Sequence, residues 1–117
     1  MAGYRRLQIN DVGEVCVVRF RDQKIIEDIN IQEWGQELFQ LADVENRQKL
    51  LLNFSGVDFL SSAALGKLIT LDKKVRARGG TLRLCNIRPE IYEVFAITKL
   101  NRLFEIEETE ADALAAF

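Results

Sequence analysis

The chain contains no histidine among its 117 residues, which removes imidazole as a catalytic base and as a metal ligand. It has one proline and two cysteines. Cys16 and Cys85 both sit in apolar, strand-like runs without the spacing of a metal or redox pair, so reduced, buried thiols are expected. No apolar run approaches a membrane span, and the stretch MAGYRRLQIN has no apolar core of a secretory signal. A cytoplasmic chain that does not contact membrane is the expectation. Its 16 basic and 18 acidic residues are interspersed and leave a net charge of -2, with no basic stripe for direct nucleic-acid contact. The phosphate-binding patterns GxxxxGK(S/T) and GxGxxG, the GxSxG nucleophile turn and the HExxH zinc motif are all absent. These absences argue against an enzyme and against a resident metal or cofactor.

What is present centres on KLLLNFSGVDFLSSAALGKL, residues 49–68. Leu50, Leu51 and Leu52 form an apolar run without alternation, as expected of a strand covered on both faces. Gly56 breaks the run. Ser61 and Ser62 then stand where a helix would open, and one of them can cap it. A hydroxyl there lies beside unpaired backbone N–H groups and the positive end of the helix dipole, which suits the gain and loss of a phosphate. The alternative is that both serines only cap the helix. Asp58, three residues before Ser61, is a base on paper but lacks the third, orienting group of a triad. The acidic ETEAD stretch reads as a helix start and a solvated face.

The rest of the chain supplies strands and helices in alternation. Residues 6–9 and 15–20 predict an antiparallel hairpin around Asp11-Val12-Gly13, and Ile25-Ile26 a short extra strand. Asn30 and Glu33 have the spacing of a capping box, followed by Ile31, Trp34, Leu38 and Leu41 at helical spacing. The second helix is predicted over 61–78, with Ala64, Leu68, Leu71 and Val75 as its inner stripe, Leu65 beside it, and Gly79-Gly80 as its stop. Asp72 falls at the edge of that stripe, and the pattern assigns it nothing. Residues 81–85 alternate as a strand. Pro89 opens a third helix with Ile91, Val94 and Phe95 inward. Residues 103–106 predict a last strand, and Thr109 with Asp112 a capped last helix carrying Ala113, Leu114 and Phe117 inward. The order β-β-α-β-α-β-α-β-α implies one α/β domain over 1–117, a mixed sheet with parallel crossovers and helices packed on it.

At ~100° per residue, Ser61 points roughly 20° from the centre of the inner stripe and Ser62 roughly 120° from it. Ser61 is therefore the better cap and Ser62 the better-exposed hydroxyl. Ser62, Gly66, Ile69 and Lys73 line up beside the stripe as a candidate contact strip. Ile69 either belongs to that strip or widens the core.

The stretch SGVDFLSSAALGKLI resembles the signature of STAS domains, especially of bacterial anti-sigma-factor antagonists: a strand, a short loop, and a serine opening a helix with a Leu-Gly pair, here Leu65-Gly66. GGTLRLCNIRPEIYEVFAITKLNRLFEI is similar to the family's later half, with its glycine turn, strand, Asn-x-x-Pro, helix and last strand. The resemblance implies a STAS-like fold and a binding module rather than an enzyme. In the family, the unphosphorylated antagonist binds an anti-sigma factor that is also a serine kinase, and so frees a sigma factor. The kinase phosphorylates the helix-opening serine, which ends binding, and a PP2C-like phosphatase restores it. By register on Leu65-Gly66 the matching serine is Ser62, with Ser61 the lesser candidate. With Asp58 and Ser61 added, the helical-wheel strip of Ser62, Gly66, Ile69 and Lys73 makes the candidate partner-binding set. Ser61 stands where the family often has Asp, Ala64 where it often has Gly, and RDQKIIED replaces the family's Gly-x-Leu-Asp turn. The alternative is a STAS scaffold subunit of a larger signalling or transport complex, without a phosphate cycle.

Overall fold

A computed structural model of the chain describes residues 4–21, 24–25 and 28–117. Strands β1 (Leu7–Val12) and β2 (Val15–Phe20) form an antiparallel hairpin in which Val12 opposes Val15, leaving Gly13-Glu14 as the turn. Gly13 supplies the positive φ, +61°, that a tight hairpin turn needs. β1 runs past residue 9 because pairing, not hydrophobicity, extends it. It lies at the sheet edge, where outward residues are free to be polar.

β2 runs parallel to β4 (Lys49–Asn53), β4 to β6 (Thr81–Cys85), and β6 to β7 (Glu105–Glu107), giving the order β1-β2-β4-β6-β7. A second, two-stranded ribbon pairs β3 (Lys24–Ile25) with β5 (Phe59–Leu60). The extra strand expected at Ile25-Ile26 is thus found at Lys24–Ile25. Ile26 lies outside the described residues, as do Asp22, Gln23 and Glu27.

Helices α1 (Asp28–Asp43), α2 (Ser62–Ala77) and α3 (Pro89–Ile97) contribute to the main core, and α4 (Glu110–Ala116) to a smaller one. Strand alternation separates the two: Cys16, Val18, Leu50 and Leu52 join the main core, while Val15, Val17 and Leu51 pack with Ala113, Leu114 and Phe117. This is why the leucine run does not alternate. Both faces of β4 are covered.

Three local expectations are corrected. α1 already includes Asp28, so Asn30 lies inside the helix and forms no capping box with Glu33. The Glu33 carboxylate instead accepts from Arg6 Nε at 2.9 Å, which holds its pKa below the ordinary range, and Glu37 accepts the backbone N–H groups of Arg5, Arg6 and Leu7. Val94 is 38% exposed, and only Ile91 and Phe95 of α3 are buried. The last strand begins at Glu105, because Lys99 turns left-handed (φ +62°) and starts a 3-10 turn over Leu100–Arg102. Phe104 is spent in the core, edge-on to Phe95. Asp72, which the pattern left without a role, is buried in α2 with Arg76 Nε 2.9 Å from its Oδ2.

The glycine stop is as expected. Gly79 has φ +76°, and a Cβ on Gly80 would lie 2.6 Å from the Gln48 carbonyl oxygen, so the chain passes the start of β4 only without a side chain there.

Both cysteines are free and buried, and burial raises their thiols to about 11 for Cys16 and about 12 for Cys85. The unfolded chain ionises them near the ordinary thiol value of 9.0, whereas burial keeps them protonated in the folded chain. Stability should therefore fall as pH rises from about 9 towards 11 and 12. Chemical denaturation across this window, on the chain with Cys16→Ser and Cys85→Ala beside wild type, checks it. An equal alkaline loss in the two proteins would refute the attribution.

Candidate functional site at the carboxyl edge of the sheet

β2, β4, β6 and β7 are parallel, so their carboxyl ends share one edge, the usual place for binding in α/β sheets. The segment from Phe54 to Ser61 emerges there and is tied down at several points. Asn53, buried at the end of β4, accepts the Ser55 N–H at 2.9 Å through Oδ1 and donates through Nδ2 to Glu110 Oε1 at 2.9 Å. Glu110 also pairs with Arg19 of β2. Val57 is fully buried. The Asp58 carboxylate meets Arg88 Nε at 3.0 Å, which joins the loop to the start of α3 and leaves Asp58 engaged away from the serines. The β3–β5 ribbon holds the last turn, with the Lys24 ammonium 5.5 Å from the centre of the Phe59 ring.

The two serines are divided in role. Ser61 is the N-cap of α2, with extended backbone (φ -75°, ψ 165°), and its Oγ accepts the Ala64 N–H at 3.2 Å. It is half-buried. Ser62 is the first helical residue and is exposed. The first turn of α2 carries no acidic side chain, so its positive dipole end faces no carboxylate of its own turn. An anion on Ser62 would meet that field. Ser61→Ala should cost about 1 kcal/mol of stability as a lost cap, measured by denaturant unfolding. A change below about 0.3 kcal/mol would mean that the cap contributes nothing.

Of the candidate strip, Ser62, Gly66 and Lys73 are exposed, while Ile69 is half-buried and packs against the main core. Ile69 thus widens the core contact and offers only part of its side chain outward. A Cβ on Gly66 would meet no atom within 4 Å. Packing inside the chain does not require glycine there. Sequence reasoning missed Asn53, Arg88, Phe59 and Lys24. Phe59, 56% exposed beside the serines, was visible as an aromatic but not as a surface one.

Residues 6–113 match the STAS domain. The chain belongs to the STAS domain family. Over 95 residues this STAS domain is 28% identical to a candidate anti-sigma factor antagonist, BtrV, of Bordetella bronchiseptica, covering 81% of each chain. Its fold is similar to the crystal structure of a candidate anti-sigma factor antagonist from Thermotoga maritima, at TM-score 0.83 and 21% identity, covering 97% of this chain and 95% of that one. It is also similar to the Bacillus cell-fate determinant SpoIIAA in its phosphorylated form, at TM-score 0.71 and 19% identity, covering 94% and 97%. The five-stranded mixed sheet of this STAS domain presents its helix-opening serines at the carboxyl edge. Among the described residues no helix is long and apolar enough to cross a membrane.

Proposed function

We propose that this STAS domain is an anti-sigma-factor antagonist whose binding to an anti-sigma factor with serine kinase activity is switched off by phosphorylation of Ser62. The observation that carries the reading is the division between the serines: the Ser61 hydroxyl is committed to the cap, and the Ser62 hydroxyl is exposed. In the switching step, the kinase transfers the γ-phosphoryl group of ATP to Ser62 Oγ. The Oγ–P bond forms as the bond to ADP breaks, and the hydroxyl proton leaves. A PP2C-like phosphatase reverses the state by hydrolysis. The unmodified chain sequesters the anti-sigma factor, and a sigma factor is freed.

A second reading, a scaffold subunit without a phosphate cycle, is favoured by Ser61 standing where the family often has Asp. Intact-mass analysis and phosphopeptide mapping of the protein purified from its own host, with and without phosphatase, separates the two. A phosphatase-sensitive phosphate on Ser62 supports the switch. Modification on Ser61, or none under any growth condition, overturns it.

Gly66 gives an independent expectation. Gly66→Ala should stabilise α2 by about 0.5–1 kcal/mol, because glycine in a helix interior is costly and the added methyl meets nothing. The same methyl should weaken anti-sigma-factor binding if the partner approaches the exposed helix surface along Ser62, Gly66 and Lys73. Calorimetric titration beside thermal unfolding reads both. Tighter or unchanged binding would remove Gly66 from the interface.

A further inference from the structure

A groove of about 530 Å³ lies between α3 and β7, at the same carboxyl edge as the serines. Ile87, Pro89, Tyr92 and Ile106 give it an apolar lining with one aromatic ring. Its charged lining residues are Glu93, Glu107 and Glu108, all of one sign. Glu107 lies 3.8 Å from Arg83 Nη1, whereas Glu93 and Glu108 have no ion pair among the described residues. Arg88, at the start of α3, is engaged by Asp58. Among the described residues β7 pairs only with β6, so its other edge is open to an added strand.

These features select one occupant. An apolar lining with an aromatic ring and unpaired carboxylates favours a guanidinium or ammonium group, which gains both ring and ion contacts. The open edge beside it favours an extended backbone. We propose that this groove is a second docking site for the anti-sigma factor, taking an extended segment with Arg or Lys beside apolar residues. The basic side chain lies against Tyr92, between Glu93 and Glu108, and its apolar neighbours lie on Ile87 and Ile106. The identity of the partner rests on the function proposed above; the chemistry of the groove does not. The site widens the contact beyond the serine helix, and its charge makes that part of binding salt-sensitive.

The test has two arms. In the first, the isotope-labelled chain is titrated with the acetylated peptide Leu-Arg-Leu-Arg-Leu, and then with Leu-Glu-Leu-Glu-Leu, and followed by amide NMR. The basic peptide should shift the amides of Ile87, Tyr92, Glu93 and Glu107, and the acidic one should not. Groove amides unmoved by the basic peptide, or moved equally by both, overturn the site. In the second arm, Glu93→Lys with Glu108→Lys should weaken anti-sigma-factor binding about tenfold at low salt, and less at high salt. Unchanged binding, with wild type binding normally and Ser62→Asp not binding, overturns the groove as a docking site for this partner while leaving the serine switch intact. A wild-type chain that does not bind the anti-sigma factor overturns the partner, and the peptide arm then decides the groove by itself.

Discussion

Arg76→Met is expected to cost about 3 kcal/mol, lowering the unfolding temperature by roughly 10 °C, although Arg76 is a largely exposed residue. The cost arises at its partner. Asp72 is 2% exposed on the core side of α2, and Arg76 Nε, one turn on, lies 2.9 Å from its Oδ2. The contact is one of charge rather than an aligned hydrogen bond, since Oδ2 receives no donor in good geometry. Removing the guanidinium leaves a buried carboxylate without its cation, the situation in which breaking an ion pair is most destabilising. A cavity of about 220 Å³ lined by Asp72, Arg76, Arg83 and Glu105 admits some relief, which places the expectation at the low end of the range for such pairs. Arg76 Nη2 also donates to the Leu103 carbonyl at 2.9 Å, tying α2 to the approach to β7. Asp72→Leu combined with Arg76→Met should recover most of the loss, because no charge is then buried. Denaturant unfolding of the two single variants and the pair gives the coupling directly. A loss below 1 kcal/mol in Arg76→Met, or no recovery in the pair, would show that Arg76 is not what compensates Asp72.

Ser62→Asp is expected to weaken anti-sigma-factor binding on the order of 100-fold or more while leaving the unfolding temperature within a few degrees of wild type. A phosphate on Ser62 carries about -1.5 to -2 charges at neutral pH, and Asp carries part of that charge in nearly the same place. The fold tolerates it because Ser62 is exposed and the start of α2 presents its positive dipole end. A partner surface fitted to a neutral hydroxyl does not, because the charge must be desolvated there without a matching cation. On the function proposed above, the switch would act by blocking contact rather than by reshaping the domain. Ser62→Ala should bind like wild type and resist phosphorylation. Binding by Ser62→Asp at wild-type strength, or phosphorylation of Ser62→Ala at the wild-type rate, would contradict this.

Much of the fold around the candidate site was legible because its signals are local. A cap is decided by a side chain and the N–H groups a few residues on, so Ser61 and Thr109 were readable, and the structure has their hydroxyls accepting from Ala64 and Asp112. The helix stop at Gly79, Pro89 in the first turn of α3, and the leucine run of β4 depend on backbone freedom or on unbroken hydrophobicity, and those are properties of the residues themselves. The inner stripe of α2 followed from the helical period in the same way.

What tertiary structure alone decided lies where distant segments meet. Asp72 sits at the edge of an apolar stripe, and only packing against neighbouring elements determines whether that edge is wet or dry. Here it is dry. The β3–β5 ribbon, the Asp58–Arg88 pair and the Asn53–Glu110 bond each join residues with no shared local pattern. Glu33 had the spacing to cap a helix beginning at Asn30, but α1 begins at Asp28, and the carboxylate instead meets Arg6, a cation brought close by the fold. The amino-acid order by itself thus determined the strands of the main sheet and the helices, though not all of their ends, and which serine caps α2. The three-dimensional arrangement decided how the serine loop is held and what chemistry stands beside it, because charge pairing and burial are set by neighbours in space.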